Sequence, residues 1–402
     1  MSDKRYWIWL QLCLGAGKRF SPIVEYFGSV ENVFKSNYLQ RRACPLIKDR
    51  LLERMEETDI SSADEIIELC RKNDWQIITF EDEAYPQKLK NIYDPPAVLY
   101  VSGELPKVDN MLTLGVVGTR KASPYALNCA RIVSKGVARC NGVIISGGAL
   151  GVDTAAHEGA LDVNGKTIVV LGCGLACNYL SVNNDLRRKA SISGAVISEY
   201  PPDTPATKFT FPPRNRIISG LSDGVYVVEA GDKSGSLITA SYATDQSRDL
   251  FATPASIFDE GFNGTNRLIE DGAIPVTSIN AIVSHYTQKY KTLDVSRLAT
   301  VRELLNDEYA DKSIPDELEE QLTFDNIGVH RQARSEIDKK AAMLKGNEKT
   351  VYGALSDEFT DADTICAKAD LPVHIVLMSL TMLELDGLAE AGIGKRYRKK
   401  QS

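Results

Sequence analysis

Between Met111 and Val170 the chain reads MLTLGVVGTRKASPYALNCARIVSKGVARCNGVIISGGALGVDTAAHEGALDVNGKTIVV. Short apolar runs (LTLGVV, GVIIS, TIVVL) alternate with helical windows, and the alternation continues through AVISE, GVYVVEA, DLFATP and AIPVT to about Val283. Runs that are apolar throughout, each followed by a helix, belong to a largely parallel sheet covered by helices on both faces. The pattern predicts a doubly wound α/β core over 111–285.

In an open parallel sheet, the loops leaving the carboxyl ends of the strands share one edge, and ligands bind there. The unusual residues of this chain fall in those loops. After the first run, Gly118, Thr119 and Arg120 precede Ser123, a predicted N-cap, and Pro124 at the first helical position. In SGGALGVDTAAH, Gly147, Gly148 and Gly151 permit a tight turn whose amides converge at a helix N-terminus, a form that suits phosphate. Turn geometry alone also calls for these glycines, and capping or helix packing explains Asp153 and His157 at least as well as a site does. Gly172 and Gly174 make a third such turn.

The segment KFTFPPRNRIISGLS is the most informative, with Lys208, Arg214 and Arg216 as cations and Phe209 and Phe211 as ring faces. Single-stranded nucleic acid is held in this way: charge follows the backbone, and rings stack on unpaired bases. Core phenylalanines with solvated or salt-bridged arginines are the plainer alternative. In EAGDKSGSLITASYA, Ser234, Gly235 and Ser236 open another helix with its own set of amides. NGKT at Asn164–Thr167 is a decoy for a P-loop, since Ala160 stands where that motif needs glycine and the segment precedes a strand, so no ATPase is expected.

Outward from the core, residues 1–73 read as short helices, over Trp7–Leu14, Pro22–Phe27, Val30–Lys35, Pro45–Glu57 and Ala63–Lys72. Their LGAGKRF turn has the look of a helix-hairpin-helix, which offers amides to a DNA phosphate, while a plain helical packing module is the favoured reading. Residues 74–110 form an adaptor of short β-type runs and Pro-bearing turns. Residues 286–345, with an acidic stretch over Glu303–Asp325, read as a linker. Residues 346–402 give three helices and a small hairpin in the order of a winged helix-turn-helix. Its tail (Lys395, Arg396, Tyr397, Arg398, Lys399 and Lys400) either grips duplex DNA as a wing does or is a solvated end.

The 402 residues, 43% hydrophobic and 25% charged, exclude disorder as the whole answer and predict two or three domains. A net charge of −7 excludes a uniformly basic coat for nucleic acid and leaves a local basic surface open. No secretory signal is read at the start, and no apolar run approaches the ~18 residues of a membrane span. The 8 cysteines are scattered, Cys173 and Cys177 being the one close pair, without partners for a tetrahedral site. The expectations are therefore the cytoplasm, no membrane, no metal and no cofactor. The histidines (His157, His285, His330, His374) show no nucleophile or metal spacing.

Taken in order, VGTRKASPY, SGGALGVDTAAHEGAL, VLGCGL, ISEYPP, FPPRNRIISGLS, VVEA, SGSLITA and GTNRLIEDGA resemble the DNA-processing protein A family, DprA or Smf, from roughly Tyr85 to Ser278. The resemblance implies an extended Rossmann-like core, a small N-terminal helical domain of helix-hairpin-helix or SAM-like type, and a C-terminal winged helix. It implies a non-enzymatic protein of DNA uptake, natural transformation and recombination, which binds and protects single-stranded DNA and helps to load the recombinase RecA. Carried over by position, Arg120 and Lys208 contact backbone phosphates and Phe211 sits in a pocket near a base. Gly147, Gly148, Arg214, Asn215, Arg216, Ser234, Gly235 and Ser236 shape or line the same edge. Partners implied are single-stranded DNA, RecA, a second copy through the core and, as a further candidate, single-strand-binding protein. Departures from the family pattern are Ala126 for glycine, Leu180 for proline, Ala255 for Pro-Gly and Ser241 for arginine, the last removing a cation.

A second reading belongs to another class: a Rossmann-like enzyme or sensor acting on a free nucleoside phosphate seated on the Gly-rich edge. It needs a placed carboxylate for acid or base work, for which Asp153, Glu199 and Glu229 are the candidates.

Overall fold

The structure, a computed structural model, describes residues 3–298, 344, 346–356, 359–385, 388–392 and 396–399. The chain divides into two compact units, Met1–Tyr309 and Ala310–Ser402. His330, Lys395, Lys400 and the acidic stretch over Glu303–Asp325 lie outside the described residues.

The first unit opens with helices α1 (Lys4–Leu14), α2 (Ser21–Phe27), α3 (Val30–Lys35), α4 (Tyr38–Ala43), α5 (Asp49–Glu57) and α6 (Ser61–Lys72). Helix α1 is the centre of this group, with Trp7, Ile8, Trp9, Leu10 and Cys13 all buried. Helix α4 has no counterpart among the expected helices. Its signal is a capping box, in which the Asn37 side chain accepts from the Gln40 amide and Gln40 returns the bond to the Asn37 amide. The turn after α1 offers DNA little: the Gly15 amide donates to the Gln11 carbonyl at 2.8 Å and the Gly17 amide to Glu199 Oε1 at 3.0 Å. Those amides are spent on the protein, which favours the packing reading.

Next come β1 (Trp75–Thr79), α7 (Gln87–Lys90), β2 (Val98–Gly103) and β3 (Thr113–Val117). Four crossovers follow: α8 (Pro124–Arg139), β4 (Val143–Ser146), α9 (Val152–Leu161), β5 (Lys166–Leu171), α10 (Asn184–Ser193), β6 (Ala195–Ser198), α11 (Phe211–Leu221) and β7 (Gly224–Val227). The unit's last elements are α12 (Ser236–Asp245), β8 (Asp249–Ala252), α13 (Asn263–Glu270), β9 (Ile274–Pro275) and α14 (Asn280–Val283). The strands form one sheet in the order β1-β2-β6-β5-β4-β3-β7-β8-β9. From β6 to β9 every pairing is parallel, the extended Rossmann-like arrangement expected from the sequence. The adaptor does more than connect: β2 pairs antiparallel with β6 and β1 with β2, so it lengthens the sheet.

Strand alternation divides the core between two faces. Leu114, Val116, Ile144 and Tyr226 pack on one side with α8 and α9, while Val117, Ile145, Val225 and Val227 pack on the other with α11 and α12. Tyr286 and Tyr290 join the first of these clusters, so the stretch from residue 286, expected as linker, begins as part of the sheet's cover.

In the second unit, helices Gly346–Ala354, Ala362–Ala369 and Val373–Leu385 accompany strands Thr360–Asp361, Ala389–Gly392 and Arg396–Lys399. The last two strands pair antiparallel as the wing of a winged helix. In the basic tail, Arg398 bonds Glu390 at 2.8 Å and lies over Phe359, so this cation is engaged within the fold. Among the described residues no single helix is long and apolar enough to cross a membrane.

Candidate nucleic-acid interface

The sheet reverses its order at β3. From β3 the chain steps outward through β4 and β5 to β6, and α11 then returns it to β7 on the other side of β3. Loops diverging from neighbouring strands open a crevice at the carboxyl edge, where such sheets hold ligands. The crevice here is a cavity of about 440 Å³ between the β3 loop, the first turns of α11 and the start of α12. Beyond the β3 loop, Ser123 caps α8 as expected: its hydroxyl accepts from the Ala126 amide at 3.2 Å, with Pro124 beginning the helix.

Arg120 leaves the β3 loop into solvent. Its Nη1 donates to the Tyr179 hydroxyl at 3.4 Å, and its guanidinium lies 5.2 Å from the centre of the Phe211 ring. Phe211, half-buried at the head of α11, also has the Tyr179 ring at 5.3 Å and the Arg214 guanidinium at 5.9 Å. A cation near a ring centre attracts its face electrostatically, and this one ring has two. Just before α11, Lys208 is exposed with Nζ 5.1 Å from the centre of Phe209, itself 74% exposed. A ring left that open adds little to the core and is free to stack.

Arg214 lines the cavity but is buried. Its Nη1 donates to the Gly147 carbonyl at 2.8 Å and to the Val170 carbonyl, and its Nε to Asn215 Oδ1 at 3.1 Å. Burial pulls its pKa below the ordinary value, with the Asp153 charge opposing. Arg214 thus ties the ends of β4 and β5 to α11. Gly147 and Gly172 are glycines for this reason. A Cβ at Gly147 would stand 2.5 Å from the Arg214 guanidinium, and one at Gly172 would stand 2.6 Å from the Phe211 ring.

The phosphate cradle expected over SGGALG needs correction. The amides of Gly147 and Ala149 both donate to Asp153 Oδ2 at 3.2 Å, so they face a protein carboxylate already. Burial pushes the Asp153 pKa up, while Arg214 holds it down in part. Gly148, at φ +66°, makes the left-handed step of the turn. Arg216 also departs from expectation: it is 0% exposed, with Nη2 on Glu199 at 2.7 Å and Nε 3.1 Å from Asp94. It fastens α11 to the adaptor and has no surface to offer a ligand.

Asn215, Ser234, Gly235 and Ser236 do line the cavity, the two serine hydroxyls bonding each other at 2.7 Å. His157 is a packing residue: its Nδ1 lies 2.7 Å from the Thr167 hydroxyl, and burial drives its pKa to about 3. Cys173 and Cys177 are free thiols, burial pushing Cys173 up to about 12. Among the described residues no His, Cys, Asp and Glu group could hold a metal ion. Sequence reasoning did not assign Tyr179 to the site, although an aromatic in the loop after β5 falls on the same edge as Arg120.

A family model described as DNA recombination-mediator protein A matches residues 76–287, and a DprA winged helix domain matches 338–395. The chain belongs to the DNA recombination-mediator protein A family. The family match runs from β1 past α14 and takes in the whole crevice, leaving α1–α6 outside it. The DNA processing protein DprA of Streptococcus pneumoniae is 42% identical over 51% of this chain and 72% of its own. Protein Smf of Synechocystis is 29% identical over 99% of both chains. An X-ray structure of the Streptococcus pneumoniae protein superposes with a TM-score of 0.61 at 33% identity, covering 72% of this chain and 99% of that one.

Against the DprA pattern, the departures have local explanations. Ala126, in the first turn of α8, is fully buried in the core cluster. Leu180 has φ +53°, a conformation closed to proline, so this loop follows its own path past Tyr179. Ala255 exchanges two backbone bonds with the Asn266 side chain at 3.2 Å. Ser241 is exposed on α12.

Proposed function

We propose that the chain binds single-stranded DNA along the carboxyl edge of its sheet, with little sequence preference, and acts as a non-enzymatic mediator of recombination during DNA uptake. The observation that carries this is the pairing of exposed cations with rings on one stretch of surface: Arg120 with Phe211 in the crevice, and Lys208 with the exposed Phe209 just before α11. Charge tracks phosphates and rings receive bases, which needs no base-specific hydrogen bond. Arg214, Asn215, Gly147, Gly148 and Ser234–Ser236 build the crevice in this reading, and Arg216 supports it from beneath. Membership of the recombination-mediator family supports the same role. Protection of incoming strands, hand-over to RecA, contact with single-strand-binding protein, pairing of two copies through the core and action in the cytoplasm complete the proposal. So does its division of labour among 1–73, 74–110, 111–285, 286–345 and 346–402.

The nucleotide-enzyme alternative loses ground on its carboxylates. Asp153 receives two amides, Glu199 receives Arg216 and the Gly17 amide, and Glu229 receives the amide and hydroxyl of Ser123 at 2.8 Å each. Each is committed to holding a loop.

Fluorescence anisotropy with labelled oligo-dT at several salt concentrations tests the proposal. Binding should weaken with salt, each neutralised phosphate contributing about 0.7 to the log–log slope. Arg120→Ala and Lys208→Ala should each lower both affinity and slope. No binding by the folded chain sinks the proposal.

A further inference from the structure

We infer that the bound single strand continues from the crevice onto the turn after α1 and the neighbouring adaptor loop, across a second cation and aromatic patch formed by Lys18, Arg19 and Tyr93. This rests on the reading of the crevice as a strand-binding surface. Helix α11 is the divider between the two. Phe211, Arg214, Asn215 and Ile218, spaced along one flank, line the cavity. Its other flank meets the turn after α1 and the adaptor: a Cβ at Gly17 would lie 3.1 Å from Pro213, Arg216 reaches Asp94, and Gly220 abuts Leu89 and Ile92. A helix with its side chains is about 10–12 Å across, so a strand leaving the crevice over the first turn of α11 arrives beside Gly17.

At that point the surface repeats the chemistry of the crevice. Lys18 and Arg19 are exposed, and the Arg19 guanidinium lies 4.4 Å from the centre of the Tyr93 ring, which is 75% exposed. Neither cation has a carboxylate partner among the described residues. The acids placed beside the patch are consumed: Arg216 takes Asp94 and Glu199, and the Gly17 amide takes Glu199 as well. A turn whose amides are spent internally therefore still presents two positive charges without a carboxylate partner and an open ring, the same cation and ring pairing as Lys208–Phe209 and Arg120–Phe211. A polyanion with unpaired bases matches all three pairs in one path.

The test uses the full chain, the Lys18→Ala/Arg19→Ala double variant, Tyr93→Leu, and Arg120→Ala. Each is titrated with oligo-dT of about 5 and about 16 nucleotides, the range over which such sites extend. The double variant should bind the longer strand about tenfold more weakly and lose about 1.4 from its salt slope, two phosphates at about 0.7 each. Its binding of the short strand should match the parent. Tyr93→Leu should weaken the longer strand alone, without change of slope. Equal affinity for the longer strand in parent and double variant overturns the inference, as does an equal loss at both lengths. Failure of the underlying reading looks different: Arg120→Ala would then leave both lengths untouched.

Discussion

The two edges of this sheet use the same residue types for opposite ends. At the amino edge, where β3 and β7 begin, the Asp223 side chain is 1% exposed and accepts from Lys88 at 2.7 Å, Lys289 at 2.8 Å, the Tyr290 hydroxyl at 2.6 Å, and both amide and hydroxyl of Thr113. At the carboxyl edge of the same two strands, Arg120 stands in solvent with a tyrosine hydroxyl and a ring as its company. Both edges gather cations and aromatics; at the carboxyl edge, however, the carboxylates of Asp153 and Glu229 are taken by the Gly147 and Ala149 amides and by Ser123, and none of them pairs with Arg120. Charge that is answered within the protein holds elements together, and charge left unanswered is available to a polyanion. The contrast also locates the adaptor's contribution, because Lys88 sits on α7 and reaches the sheet through Asp223.

Removing the carboxylate should break the amino edge outright. Asp223→Ala leaves the Lys88 side chain, 10% exposed, without its counter-charge and should cost about 3–5 kcal/mol, read as a fall in the urea midpoint. Protein that remains folded should keep its oligo-dT salt slope, since the strand-binding edge is untouched. The pH dependence has a definite sign. Burial alone would raise the Asp223 pKa, but Lys88 and the bonds from Lys289 and Tyr290 outweigh it and hold the pKa below the usual carboxylate value. The stabilisation is therefore complete above the unfolded pKa of about 3.9 and is lost as pH falls through the lower folded value. The stability gap between parent and Asp223→Asn should shrink in acid; a gap that widened there would contradict the assignment.

Arg214 sits between the two cases, at the carboxyl edge yet buried, so its loss should register in both assays. Arg214→Ala deprives the Gly147 and Val170 carbonyls of their donor and should cost about 1–3 kcal/mol of stability along with weaker strand binding. Arg120→Ala, by contrast, should leave stability within about 0.5 kcal/mol and act on binding alone. If Arg214→Ala changed binding with no change in the urea midpoint, the distinction between answered and unanswered charge would fail at its most informative residue.

Much of this was legible from the chain, and what was not has a common cause. The parallel core announced itself in β-branched runs, and Ser123–Pro124 marked the start of α8, because both signals are local. Winged-helix order at the C-terminus was equally local. The carboxylate at Asp223 draws partners from residue 88 to residue 290, and no window of sequence contains them together. For the same reason Arg120, Arg214 and Arg216 looked alike in sequence although one is exposed, one lines the crevice from within and one is sealed against Glu199. Gly147 illustrates the hazard in reading glycine: the space it leaves is taken by an arginine of its own chain, where the sequence suggested a ligand's phosphate.

The smallest effect comes from adding a charge to the carboxyl edge. Ser241 is exposed on α12, one turn beyond Ile238, which borders the cavity, so the two share a helix face. Ser241→Arg should raise affinity for oligo-dT and steepen the log–log slope by about 0.7, one additional phosphate, while leaving the urea midpoint unchanged. Because Asp245 lies four residues on in α12 and can pair with the new guanidinium, the charge is read in the Ser241→Arg/Asp245→Asn background, where it should remain unanswered, as that of Arg120 does. An unchanged slope would mean that the strand passes over the β3 loop and α11 without reaching α12, and would confine the binding edge to the β3–α11 side of the crevice.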